Sequence, residues 1–237
     1  MRSLGRTDKA FFALIAVATV LFALTLHVVF LRAPVERTMG IVQKIFYFHV
    51  PAAYGMYLGA TACLLGSMAY LLHPTDLRDA TARAGAEVAV VFGAIVLTTG
   101  PLWAAKAWGH YWTWDPRLTT SLLSVLVYVA YLVLRSFGGD GPGEKRFSAA
   151  LGILGAANLP IIHFSVQKWS GQHPTVVTAK GGGLSHPDMK LAFILGLVSF
   201  TLLALAMLWV RARLAVLSSR LDRAEEDTFA LDLRPHE

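Results

Sequence analysis

Twelve consecutive residues, Trp108-Gly-His-Tyr-Trp-Thr-Trp-Asp-Pro-Arg-Leu-Thr119, concentrate the chemistry of this chain. Three Trp, a Tyr and a His fall within seven residues, followed at once by Asp115 and Arg117. Trp and Tyr gather at membrane interfaces, because an apolar ring with one polar N–H or O–H suits the headgroup level. An anchoring belt, however, has no use for Trp108, Trp112 and Trp114 inside one connection closed by an acid and a base. Such a patch offers flat, polarisable area with a few directed donors, which suits a large flat apolar ligand.

Two histidines could add ligation. His49 and His173 lie on the connections either side of the Trp patch, and neutral imidazole is a common ligand of haem iron. The pattern would allow one haem clamped edgewise against the tryptophans with a His on each face. Arg117 and Arg37 suit haem propionates, since guanidinium forks match carboxylates, and suit headgroups or Asp115 equally well. His163 falls within an apolar run, where an ionisable group is costly and needs a partner. It reads as a packing residue first and a ligand second. His27, His73, His110 and His236 read as solvated. Taken alone, these residues give an aromatic site for a flat ligand, with His ligation left open.

Composition says what must position them. Of 237 residues, 55% are hydrophobic and only 15% charged, against about a quarter charged in a soluble domain. The expectation is an all-α integral membrane protein. The net charge of +6 comes from positives in turns and tails between apolar runs, so it reads as a topology signal and not as a nucleic-acid footprint. The single Cys63 excludes an intramolecular disulfide, a Cys-pair metal site and the C-x-x-C-H motif of covalent haem attachment.

A hydrocarbon core of about 30 Å needs roughly 20 apolar residues per helix. Six runs meet that: 10–31, 51–72, 86–103, 118–137, 147–166 and 191–210. With no internal repeat and no long linker, 1–237 reads as one membrane domain. The first run follows Arg2, Arg6 and Lys9. It is longer than a signal-peptide core and lacks a small-x-small cleavage site, so it reads as a retained helix. Placing the N-terminus inside puts thirteen of the 21 Lys and Arg on the inner side. That bias predicts both termini inside and the Trp-rich connection, 106–117, on the outer face.

The other outward connections also carry features. In Arg32–Val50, apolar residues 41, 42, 45 and 46 fit one helical stripe along the interface. Pro51 reads as the first helical position of the second span, which sets His49 at its outer mouth. Gln167–Lys190 carries Trp169, His173, three consecutive Gly from Gly181 and His186. The inward Gly138-Gly-Asp-Gly-Pro-Gly turn lacks the order of a phosphate loop. In the tail 211–237, Leu214, Leu217 and Leu221 recur at helical spacing, compatible with an amphipathic helix or a solvated tail.

The stretch Trp108-Gly-x-x-Trp-x-Trp-Asp-x-Arg-Leu-Thr119 resembles the tryptophan-rich signature of haem-handling membrane proteins of cytochrome c biogenesis. Phe48-His-Val-Pro-Ala-Ala53, and Asn158-x-Pro-Ile-Ile-x-x-Ser-Val166 followed by Trp169 and His173, are similar to motifs of its cytochrome c maturation protein C (haem exporter protein C) family. The similarity covers nearly the whole chain. It implies a haem-delivery component and not an enzyme. Such a protein holds non-covalent haem b at the outer face of a bacterial inner membrane and presents it to a periplasmic haem chaperone. Implied partners are an ATP-binding transporter subunit, a second membrane subunit and a small single-span protein. Carried over, His49 and His173 become axial ligands. Trp108, Gly109, Trp112, Trp114, Asp115 and Arg117 become the haem platform and its edge. Where the family shows Trp-Trp-x-x-Leu-His-Gln, this chain has Lys168-Trp-Ser-Gly-Gln-His-Pro174, which leaves His186 as a substitute for His173.

Two other classes bear comparison. A membrane b-type cytochrome holds haem between His well inside the bilayer, and only His163 lies at that depth here. A permease subunit of an ABC transporter should show an inner coupling helix, and the inner turns of this chain are short.

Overall fold

A computed structural model describes residues 6–138, 141–169, 173 and 183–232. Arg2, Lys180, Gly181, Gly182, Arg234 and His236 lie outside the described residues. Among the described residues six α-helices run in order: α1 (Arg6–His27), α2 (Phe46–Leu72), α3 (Asp76–Trp108), α4 (Pro116–Phe137), α5 (Pro142–Trp169) and α6 (Pro187–Asp232). All six are long and apolar enough to cross a membrane. No strand occurs among the described residues, and the architecture is that of an all-α integral membrane protein.

The helices extend beyond the apolar runs. α3 continues to Trp108 and α4 begins at Pro116, so the Trp-rich connection shrinks to Gly109–Asp115. α6 is one continuous helix of 46 residues, about 69 Å long, against a hydrocarbon core of about 30 Å. Its C-terminal part therefore stands outside the core. It is tied back by Arg211 to Glu87, Arg213 to Asp8 and Arg223 to Asp76. Leu214, Leu217 and Leu221 lie on this extension, each about half exposed.

α2 also starts earlier than its Pro51 suggests. The 3-10 turn Ile41–Ile45 leads straight into Phe46, and Pro51 sits inside the helix. Proline leaves the carbonyl four residues back without its helical partner, here that of Tyr47. Gly196 of α6 packs directly on this spot: a Cβ there would come 2.7 Å from the Tyr47 carbonyl oxygen and 3.2 Å from the Pro51 ring. The freed carbonyl is thus covered by a backbone that only glycine allows so close. His49 consequently lies within the first turns of α2, and not on a loop ahead of it.

The core of the bundle is an α2–α3 hairpin built on small residues. A Cβ at Gly59 would meet the Ala89 nitrogen at 2.5 Å and the Gly85 carbonyl at 2.8 Å. One at Gly66 would meet the Ala82 nitrogen at 2.5 Å, and one at Gly55 the Phe92 ring at 2.8 Å. Lipid supplies no hydrophobic drive between helices, so such close backbone approach is what holds them together. α5 packs its Gly152 against Cys63 and Ser67 of α2, and its Gly155 against Tyr128 of α4. Asn158 of α5 donates to the Thr120 carbonyl (2.7 Å) and the Ser124 hydroxyl (2.8 Å) of α4. α1 lies outermost against α6, joined by a buried Thr25–Ser199 hydroxyl pair at 2.9 Å.

Candidate functional site

One end of the bundle gathers the start of α2, the end of α3, the start of α4 and the end of α5. The Trp-rich connection is bounded there by two devices that end helices. Gly109 takes φ 80°, the left-handed conformation that terminates α3, with its N–H on the Ala105 carbonyl. Asp115 caps α4: its carboxylate accepts the Arg117 N–H at 2.9 Å, and Pro116 occupies the first helical position. The Trp-Gly and Asp-Pro pairs of the motif therefore have backbone work to do, whatever else they contact.

Between them the rings form two edge-to-face pairs and no continuous stack. Trp108 meets Trp103 at 5.6 Å and 89°, and Trp112 meets Trp114 at 5.8 Å and 85°. His110 leans on Trp108 at 6.2 Å. Trp114 is 76% exposed, a large indole offered to whatever lies outside. The Trp112 Nε1, with the Thr113 and Thr119 hydroxyls, is buried with no hydrogen-bond partner among the described residues. A buried orphan donor is costly, so this connection has capacity for a polar partner that the described residues do not supply.

His49 faces α3. Its Nδ1 lies 2.8 Å from the Thr99 hydroxyl, and a Cβ at Gly100 would come 3.2 Å from its Cε1. Thr99 precedes Trp108 by nine residues, about 13 Å along the helix. His49 thus sits deeper than the Trp-rich connection.

His173 contacts the start of α4 at this end of the bundle. Its Nδ1 is 3.3 Å from Arg117 Nη1. The same guanidinium donates to the Ile162 carbonyl (3.3 Å) and the His163 carbonyl (3.0 Å) at the end of α5. Arginine has donors only, so this contact requires a lone pair on His173 Nδ1 and puts the ring proton on Nε2.

The remaining candidates separate from this group. His186 caps α6, its Nδ1 accepting the Asp188 N–H at 3.1 Å. His163 is exposed on α5 and packs edge-on against Phe164 at 4.9 Å. Arg37 is exposed on the turn from Glu36 to Gly40. There the Glu36 carboxylate accepts the Met39 and Thr38 N–H groups, which hold its pKa below the ordinary value. Residues that motif reading passed over are Thr99, Gly100 and Trp103, whose relevance appears only once α3 is set against α2.

The family model for heme exporter protein C matches residues 2–227. The heme exporter protein C of Bradyrhizobium diazoefficiens is 32% identical over 220 residues, covering 92% of this chain and 83% of that protein. That of Escherichia coli K12 is 35% identical over 145 residues, covering 60% of this chain and 58% of that protein. A putative cytochrome c biosynthesis ccmC-like mitochondrial protein of Marchantia polymorpha is 28% identical over 206 residues, covering 87% and 88% respectively.

Proposed function

This chain belongs to the heme exporter protein C family, and from that membership we propose that it holds haem for cytochrome c biogenesis at the bundle end just described. It is a multi-pass membrane protein whose role is haem handling and delivery, with haem b as cargo and no chemical turnover of its own. His49 and His173 supply the axial imidazoles. Trp108, Trp112 and Trp114 supply the apolar platform, held in place by Gly109, Asp115 and Arg117. The bundle end faces the outer side of a bacterial inner membrane, where a periplasmic haem chaperone receives the cargo. The ATP-binding and membrane subunits of an ABC-type complex and a small single-span protein complete the assembly.

The observation that carries this reading is the Arg117–His173 contact at 3.3 Å. It ties the second imidazole to the Trp-rich stretch, at the same end of the bundle as His49. Ligation through Nε2 would need the His173 proton to move to Nδ1 and the Arg117 contact to break. His173 is accordingly the exchangeable ligand. Its return to Arg117 would let go of the haem without leaving the imidazole unpartnered, which suits a protein that must give its cargo away.

Protein purified from haem-replete cells should show a six-coordinate low-spin spectrum. His49→Gly and His173→Gly should each open a position that added imidazole refills, restoring that spectrum. Trp112→Ala and Trp114→Ala should lower retained haem with the fold intact, because each removes a large stacking face. Rescue at His186→Gly or His163→Gly instead of His173→Gly would reassign the ligand. Wild-type haem content and spectrum in both the His49 and His173 variants would refute histidine ligation.

A further inference from the structure

We propose that Thr99, backed by Gly100, is a positioning residue that fixes His49 as its Nδ1–H tautomer and so keeps the Nε2 lone pair available for iron. The proposal rests on the reading of His49 as a haem ligand.

The argument follows one proton. The Thr99 hydroxyl oxygen lies 2.7 Å from the Ile95 carbonyl oxygen, one turn back, and 2.8 Å from His49 Nδ1. A carbonyl only accepts, and a hydroxyl carries one hydrogen. If that hydrogen pointed at His49, two oxygen acceptors would face each other at 2.7 Å with nothing between them. If it points at Ile95, both short contacts become hydrogen bonds, provided His49 donates from Nδ1. The neutral ring then has no proton on Nε2, the atom left for a metal. This is the arrangement in which an outer partner sets the tautomer and orientation of a ligating imidazole and raises its basicity.

Gly100 makes the arrangement fit. A Cβ there would stand 3.2 Å from the His49 Cε1, tighter than an ordinary contact, so any larger residue would push the ring by a few tenths of an ångström. The α2–α3 hairpin supplies the register, since the small-residue pairing that runs through Gly66 with Ala82 and Gly59 with Ala89 continues to His49 with Thr99. The two imidazoles of the site are therefore prepared differently. His49 is held ready to bind, while Arg117 holds His173 in the other tautomer.

The test uses the full chain in detergent, freed of haem and titrated with haem. Thr99→Val keeps the branched shape and removes the acceptor; it should weaken haem binding about 10–100-fold. Thr99→Ser, which keeps the hydroxyl, should recover most of that loss. In the haem-free protein, nitrogen NMR of the His49 ring should place the proton on Nδ1, and Thr99→Val should release a mixture of tautomers. A His49 proton on Nε2 in the wild type would overturn the proposal even if Thr99→Val failed to fold. Unchanged affinity in Thr99→Val would also overturn it, provided His49→Gly loses the low-spin spectrum. If His49→Gly leaves that spectrum unchanged, it is the ligand reading that fails.

Discussion

Gly85 is the position at which the α2–α3 seam can be tested most directly. A Cβ there would fall 2.7 Å from the Gly59 carbonyl oxygen and 2.8 Å from Cys63 Cα, and closer still to the Cys63 nitrogen. All three atoms are backbone, so no side chain can swing aside. Relief requires the two helices to part by roughly 0.5–1 Å, a gap that forfeits a quarter to a half of each dispersion contact along the seam. Overpacking of this kind costs about 1–3 kcal/mol or more, even though Ala is the better helix former by about 1 kcal/mol. Gly85→Ala should therefore destabilise by up to about 2 kcal/mol net, roughly a 30-fold change in the folding equilibrium. Gly143→Ala is the internal control, since nothing lies within 4 Å of a Cβ at that helical position. It should be neutral or stabilising. Denaturation in mild detergent measures both variants, and the His49 ring signals report whether parting the helices lengthens its contact with Thr99. A Gly85→Ala protein as stable as the wild type, or a Gly143→Ala protein equally weakened, would refute the claim that backbone proximity holds the hairpin.

Asp115→Ala should cost about 1 kcal/mol through loss of the α4 cap, and Asp115→Ser should recover most of it; thermal unfolding of the two variants, if indistinguishable, would show that capping is not what this side chain contributes. A single Cys at Thr113, in a chain with Cys63 replaced by Ala, should react with an impermeant thiol reagent added from the outer side. Labelling only after permeabilisation would reverse the proposed topology and remove the basis for delivery to a periplasmic chaperone.

The six helices were legible because apolar runs of about 20 residues separated by charged turns admit few other readings. Their ends were less so. Reading Pro51 as a helix start followed the usual preference for Pro at the first helical position, and missed that the Tyr47 carbonyl it strands could be covered by Gly196, a residue distant in sequence. The Trp-rich stretch announced itself by composition, but its pairing did not. Trp108 turns back to Trp103, a residue that reads simply as the end of an apolar run. Asp115 shows the opposite failure, since an acid in a suspected binding motif draws a functional reading while Asp-Pro is also an ordinary way to begin a helix. Thr99 carried no signal at all. A threonine in an apolar helix bonds back to its own carbonyl, and only a partner on another helix gives that bond a consequence.

The α2–α3 seam has a further consequence for how this sequence can vary. Gly66 and His49 on one arm, and Ala82 and Thr99 on the other, are separated by equal stretches of chain. The hairpin acts as a vernier: its small residues mesh at one end and thereby set the alignment of a histidine and a threonine at the other. Each residue added to or removed from one arm would turn the far end by about 100° and present the imidazole with a different neighbour. Lineages descended from this chain should keep the length of these arms and the small residues where they mesh, exchange side chains only at the other positions, and confine insertions to the turns beyond them.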